Sequence, residues 1–124
     1  MKDYDELTGK VIGCAIEVHR NLGPGLLESA YERCLSFELL ANNIHHYVQK
    51  ELPIKYKSID LDCGYRTDLL IEDKLIIEIK SVEKVLPIHE AQLLIYMKLA
   101  DISTGLLINF NVPLLKDGIK RFSL

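Results

Sequence analysis

The sequence lacks the features that mark several large classes of protein. Its net charge is −3 over 124 residues, so no overall positive field would attract nucleic acid. No apolar run approaches the roughly 20 residues that cross a bilayer. The opening MKDYDELTGK has no apolar stretch like that of a signal peptide. We therefore expect a cytoplasmic protein with no membrane contact, whose nucleic-acid contacts, where it makes them, are confined to a local basic groove.

Cysteine is also scarce, and its pattern bears on the compartment. Cys14, Cys34 and Cys63 are odd in number and widely spaced. This pattern argues against a disulfide framework and fits reduced thiols in a cytoplasm. The chain has no repeat, low-complexity segment or linker, and 48% of its residues are hydrophobic, enough for one core. We therefore expect a single domain over residues 1–124.

Hydrophobic periodicity predicts the secondary structure. A helical period gives way to a period of two after residue 46, and it returns after Pro87, a favourable first residue of a helix. The predicted helices cover about 5–21, 26–42 and 87–101; the predicted strands cover 47–52, 56–63, 65–71, 75–81, 104–109 and 119–122. This order, a helix pair, an antiparallel meander and a crossover helix leading to further strands, indicates a mixed α/β fold.

The strand LIIEIK at 75–80 carries two charges in an otherwise aliphatic run. If the preceding hairpin turn is the three residues 72–74, Asp68 lies directly opposite Glu78, with Cβ atoms about 4.5–5.5 Å apart. Two carboxylates at that distance repel each other unless something neutralises them, and a divalent cation such as Mg²⁺ does so well. A two-residue turn would instead place Leu69 opposite Glu78, so this prediction depends on register.

Lys80 follows Glu78 on the same face of this strand. There its ammonium group could orient or deprotonate a water, or stabilise charge that grows on a phosphate. The plainer interpretation is a Glu78–Lys80 pair on a solvated face of the sheet, because this two-residue spacing is common.

Two predicted helices supply further polar candidates. Glu28 and Tyr31 are neighbours on one helix face, and Tyr31 belongs to the apolar stripe, so Glu28 is expected to border the core. His89, Gln92 and Tyr96 share a face of the later helix. Each has a plain alternative, an acid that favours the positive end of a helix dipole or a polar rim on an amphipathic helix.

Taken together, these residues resemble the PD-(D/E)XK nuclease superfamily. Asp68 and the segment EIK at 78–80 stand between a helical glutamate and a helical Gln-x-x-x-Tyr, in the superfamily's order. More closely, Gly25-x-x-Glu28-x-x-Tyr31 resembles the signature of the GxxExxY proteins, a branch grouped with these nucleases. The resemblance runs from residue 18 to residue 110. It implies an α-β-β-β-α-β core, a mixed sheet flanked by helices.

The resemblance also implies roles for individual residues. Asp68, Glu78 and the backbone carbonyl of Ile79 would bind the metal, and Lys80 would be the catalytic lysine. Glu28 would be a further catalytic acid close to the metal or its waters. The other candidates for substrate contact or the rim of the site are Gln92, Tyr96, Tyr31, His19, His89 and Arg66, the last being opposite Lys80 in the preferred register. Thr67 replaces the proline of the superfamily motif, at a position that varies and does not contact the metal.

The activity implied is hydrolysis of DNA by metal-activated water, with Mg²⁺ or Mn²⁺ as cofactor. Because the chain is acidic and offers few basic residues, single-stranded or structured DNA, or help from a homodimer or protein partner, is favoured over independent binding to a duplex. RNA cleavage at the same site is not separated from DNA cleavage by the sequence. The alternative is a catalytically silent nuclease-fold domain that binds nucleic acid or a protein partner.

Overall fold

The computed structural model describes residues 2–124, with side chains from residue 6 onward, so Met1 of the expected domain lies outside it. The described part contains three α-helices, seven β-strands and one 3₁₀ turn. In chain order these are α1 (Lys2–Leu22), α2 (Glu28–Ala41), β1 (His46–Glu51), β2 (Ile54–Tyr56), β3 (Ile59–Leu61), β4 (Arg66–Ile71), β5 (Leu75–Lys80), α3 (Pro87–Ala100), β6 (Thr104–Asn109), the 3₁₀ turn (Leu115–Gly118) and β7 (Ile119–Ser123).

Local sequence explains where the helices end and begin. Gly23 adopts a left-handed φ of 70°, and its N–H donates to the carbonyl of His19 at 2.7 Å, which closes α1. The chain cannot resume a helix at once, because Pro24 lacks an amide N–H and Gly25 also has a positive φ of 105°. Pro87 is the first residue of α3, as predicted.

Five strands form the main sheet, in the order β1-β4-β5-β6-β7. The strands β1, β4 and β5 make an antiparallel meander, α3 then crosses over so that β6 lies parallel to β5, and β7 returns antiparallel to β6. Without β2, β3 and β7, the chain reads α2-β1-β4-β5-α3-β6. This is the expected α-β-β-β-α-β core, and the predicted fold class is confirmed.

The prediction of one strand over 56–63 is wrong. A separate hairpin occupies this region, with Ile54 paired to Leu61 and Tyr56 paired to Ile59. The hairpin turns at Lys57, which adopts a left-handed φ of 55°. One long strand and two short strands in a tight hairpin show the same alternation of polar and apolar residues. The sequence pattern therefore did not reveal the turn.

The sheet lies between two helical layers, and alternate residues of each strand face alternate layers. Leu69, Ile77 and Leu106 belong to the core cluster formed with α1 and α2. Leu70 and Ile76 belong to the cluster formed with α3. Residues 78 and 80 share the parity of the second set, so the charged side chains of β5 fall on the face covered by α3.

The described residues bear on two predictions from the sequence, that the chain has no membrane-spanning helix and no disulfide framework. None of their helices is long and apolar enough to cross a membrane. Their cysteines are free thiols, with Cys14 buried, Cys34 partly buried and Cys63 exposed.

Candidate active site

The register of the β4–β5 hairpin determines whether the two acids meet. Leu69 pairs with Ile77, and the pairs continue to the turn of three residues, 72–74. The predicted register is therefore confirmed. The backbone ladder stops at Leu69 and Ile77, and the next residues along, Asp68 and Glu78, lie opposite each other just beyond its end.

Beyond the end of the ladder, the side-chain carboxylates of Asp68 and Glu78 accept hydrogen bonds from the backbone of the two strands. Oε2 of Glu78 accepts from the backbone N–H of Asp68 at 3.1 Å and from the hydroxyl of Thr67 at 3.0 Å. Oδ2 of Asp68 accepts from the backbone N–H of Ile79 at 2.7 Å. Because the N–H and C=O of one strand residue point the same way, the carbonyl of Ile79 is directed to the same side as its N–H, towards Asp68.

The electrostatics of this pair are unfavourable in the protein alone. Burial raises the pKa of Glu78 to about 8, and the negative charge of Asp68 adds to that rise. Burial likewise raises the pKa of Asp68, with a smaller contribution from the charge of Glu28. The ammonium group of Lys80 lowers both pKa values, yet among the described residues it forms no salt bridge with either acid. The pair therefore lacks a close cationic partner.

The donor atoms fit a hard divalent cation. Two carboxylates and a backbone carbonyl are oxygen ligands, and Mg²⁺ is held by one or two carboxylates with water filling the remaining positions. Among the described residues, no group of three or more His, Cys, Asp or Glu side chains is arranged to hold a metal. The oxygen donors of the pair differ from the four nitrogen or sulfur ligands of a structural zinc site.

Glu28 reaches this region from the start of α2. It is exposed and does not border the core as expected. Its Oε2 accepts from the backbone N–H of Ser81 at 3.2 Å, directly after Lys80, and its charge contributes to the raised pKa of Asp68. Glu28 is exposed because it is the first residue of α2, where the side chain extends beyond the packed layer.

Tyr31 lies behind the site and not at its rim. It is fully buried and its ring stacks on Phe110, with centroids 4.4 Å apart. Its hydroxyl donates to the carbonyl of Gly23 at 2.5 Å and accepts from the N–H of Leu26 at 3.1 Å. Tyr31 thus fastens the loop that leads into α2 and so sets the position of Glu28.

Residues of α3 line a groove next to the acids. Gln92, Tyr96 and His89 lie along it with Tyr65, around a volume of about 490 Å³. Burial raises the pKa of Tyr96, and the negative charge of Glu78 raises it further. Tyr96 therefore stands beside the acidic pair and Gln92 lies in the same groove, whereas Nδ1 of His89 accepts the N–H of Leu86 at 3.0 Å and caps the helix.

Two candidates are directed elsewhere. Arg66 pairs with Glu51 of the neighbouring strand at 3.2 Å, and the observed pairing of β4 with β5 ends before it reaches Arg66 and Lys80. His19 is buried, and its Nε2 lies 2.8 Å from the carbonyl of Val112, to which its N–H donates.

Three residues around the acids were missed by sequence reasoning. Nε2 of Gln49 donates to Oδ1 of Asp68 at 3.2 Å and to Oε2 of Glu32 at 2.6 Å. The hydroxyl of Thr67, at the position of the motif's proline, donates to Glu78. Glu32 could have been found, since it follows Glu28 by one helical turn. Gln49 could not, because its approach depends on the register of two strands distant in sequence.

The mixed sheet and the paired acids followed by lysine are typical of metal-dependent nucleases. A comparison with family models matches residues 5–122 to the PD-(D/E)XK nuclease superfamily. The chain belongs to the PD-(D/E)XK nuclease superfamily, which indicates a nuclease and contact with nucleic acid. Assignment to the GxxExxY branch stays a prediction. No curated protein and no solved structure matches the chain.

Proposed function

We propose that the chain is a nuclease that uses Mg²⁺ or Mn²⁺ to hydrolyse phosphodiester bonds in DNA. One observation carries this proposal. Asp68 and Glu78 face each other where the β4–β5 ladder ends, both with raised pKa values, and Lys80 follows on β5 without a salt bridge to any described side chain. A cation bound there takes the place of the proton that the raised pKa of Glu78 otherwise retains, and it neutralises both carboxylates.

In this proposal Asp68, Glu78 and the carbonyl of Ile79 hold the cation. When bound, the cation supplies an activated water and polarises the phosphate. Lys80 donates from its ammonium group to the attacking water or to the phosphate oxygens, where negative charge grows. Glu28, already an acceptor for the N–H of Ser81, accepts from water at the same edge of the sheet.

The groove beside the acids favours unpaired DNA as substrate. Its lining is mostly apolar, and the rings of Tyr65 and Tyr96 lie 6.3 Å apart at an angle of 59°. Tyr96 is buried and Tyr65 is exposed, so the ring of Tyr65 is the one on which an unpaired base can stack whatever its sequence. The net charge of −3 disfavours tight, independent binding of a duplex. We therefore propose single-stranded or structured DNA, with a second copy or a protein partner supplying positive charge where duplex is bound.

A cleavage screen tests the proposal. Single-stranded, duplex and branched DNA, and RNA, are incubated with the protein in Mg²⁺, in Mn²⁺ and in chelator. We expect cleavage of DNA that needs the cation and that falls about 100-fold or more in Lys80→Ala, because a group acting on transition-state charge is lost. Lys10→Ala, on the other helical layer, is the matched control and should cleave as the wild type does.

Cation binding is measured alongside by the thermal midpoint. Mg²⁺ or Mn²⁺ should stabilise the wild type and Lys80→Ala, but not the double variant Asp68→Ala with Glu78→Ala. Absence of cation binding by the wild type contradicts the proposal. Binding without cleavage of any substrate would instead identify the catalytically silent nuclease-fold domain.

A further inference from the structure

We infer that Gln49 is a positioning residue that holds the Asp68 carboxylate in place for the cation. This inference rests on the proposed function, because it concerns a residue acting through a proposed metal ligand. Gln49 lies on β1, and its side-chain amide reaches across to β4, where Nε2 lies 3.2 Å from Oδ1 of Asp68.

The backbone of β1 departs from strand geometry at this one place. The register of β1 and β4 pairs Val48 with Leu69 and Lys50 with Thr67. By the same register Gln49 would pair with Asp68, but that pair is absent, and Gln49 adopts a left-handed φ of 55°. The pairing resumes without a shift. A residue with a Cβ adopts this conformation at a cost, so the interruption opposite Asp68 requires a compensating contact.

The compensating contacts are those of the amide. Nε2 of Gln49 also donates to Oε2 of Glu32 at 2.6 Å, so one amide bridges two carboxylates, one from α2 and one from β4. Each bond lowers the pKa of its carboxylate, against a rise caused by burial. The other oxygen of Asp68 is held by the N–H of Ile79. Both oxygens are therefore oriented before any cation arrives.

Such orientation has a known consequence. Groups that hydrogen-bond a metal-ligating carboxylate fix its direction, and removing one typically weakens metal binding by about 10- to 100-fold. A neutral amide suits this role at Asp68, because it donates without adding positive charge that would repel the cation. Glu32 in turn fixes the amide, since an amide with only one acceptor could rotate away.

Gln49→Gly separates the amide from the backbone conformation. Glycine adopts a positive φ freely, so the variant keeps the interrupted strand and loses only the side chain. Asn43→Gly is the matched control, because it also removes an amide side chain from an exposed residue with a left-handed φ of 59°. Asn43 lies in the connection between α2 and β1. Both variants should keep a thermal midpoint close to that of the wild type in the metal-free protein, because relief of the left-handed strain offsets the two hydrogen bonds that Gln49→Gly loses.

The decisive readout is cation affinity, measured by titration calorimetry with Mn²⁺ in the absence of nucleic acid. We expect Gln49→Gly to bind Mn²⁺ about tenfold more weakly than the wild type, and Asn43→Gly to bind as the wild type does. Gln49→Asn tolerates the left-handed conformation but is one methylene too short to bridge both carboxylates, so it should resemble Gln49→Gly.

A thermodynamic cycle tests the bridge to Glu32. Glu32→Ala should weaken Mn²⁺ binding more in the wild-type background than in the Gln49→Gly background, where no amide remains to be fixed. Unchanged affinity in Gln49→Gly, with a wild type that binds Mn²⁺, overturns the positioning role alone. Failure of the wild type to bind Mn²⁺ overturns the proposed function and this inference with it.

Discussion

At the residue scale, Glu78 shows how a side chain can extend a sheet beyond its backbone pairing. Its carboxylate accepts the N–H of Asp68, a group that lacks a backbone partner where the pairing of β4 with β1 is interrupted. The same oxygen accepts the hydroxyl of Thr67, which is fully buried. Sequence reasoning set Thr67 aside because it does not contact the metal. Its hydroxyl nevertheless holds a proposed ligand, which the strand spacing alone could not reveal.

The raised pKa of Glu78 makes the stability of the metal-free protein depend on pH. Its folded pKa of about 8 exceeds the ordinary value of 4.5, so the folded state binds this proton more tightly than the unfolded chain does. The resulting stability is fully present below about 4.5 and is lost as the pH rises to about 8. We expect Glu78→Gln to remove this loss, so the variant gains several degrees in thermal midpoint relative to the wild type across that window.

Scanning calorimetry in chelator, at pH values from about 5 to about 9, measures this difference. Glu83→Gln, an exposed glutamate in the segment between β5 and α3, controls for the loss of one negative charge. A difference between Glu78→Gln and the wild type that stays constant with pH would contradict the assignment. Mg²⁺ added near pH 8 should stabilise the wild type and leave Glu78→Gln nearly unaffected.

At the element scale, the site depends on loops that tie the two helical layers to one edge of the sheet. The loop before α2 is fastened by Tyr31, and Oγ of Ser81 donates to the carbonyl of Leu26 in that loop at 2.6 Å. The segment after β5 is fastened by Asn109, whose buried side-chain amide both accepts from and donates to the backbone of Val82. Glu28 and Lys80 are therefore set by neighbouring, mutually bonded segments.

Tyr31→Phe tests this fastening. The variant keeps the ring on Phe110 but loses the hydroxyl, so the carbonyl of Gly23 and the N–H of Leu26 lose a partner. We expect the free energy of unfolding to fall by about 1–2 kcal/mol. Urea denaturation measures it, with Tyr47→Phe, an exposed tyrosine of β1, as the control. Equal effects of the two substitutions would contradict the role of the hydroxyl.

The elements that the sequence predicted well are those specified locally. Helical spacing identified the three helices to within a few residues, and the polar triplet at 72–74 fixed the hairpin on which the meeting of Asp68 and Glu78 depends. The hairpin of β2 and β3 was missed, because alternating polar and apolar residues are compatible with one long strand as well as with two short strands. The break in β1 at Gln49 was missed as well, since the amide of Gln49 contacts acids on β4 and α2, which no local pattern records.

At the scale of the whole molecule, four basic residues of the described part form salt bridges with acids. Arg66 pairs with Glu51, and Lys120 forms a salt bridge with Glu90 at 3.0 Å. Lys74 precedes β5 and so lies at the end of the strand remote from Lys80. A strand of six residues separates them by about 20 Å. Positive charge near the acids is therefore confined to few groups.

This distribution predicts a shallow dependence of activity on salt. Each phosphate contact on single-stranded DNA contributes a slope of about −0.7 in a plot of log affinity against log salt. With two or three contacts, near Lys80 and Lys84, we expect a slope of about −2 for kcat/KM on a single-stranded oligonucleotide at fixed Mg²⁺. Lys84→Ala should make this slope less negative by about 0.7. Lys10→Ala, on the other helical layer, should leave the slope unchanged. A slope near −4 would require about six contacts, more than one chain offers at this edge, and would indicate that a second copy contributes its own basic residues.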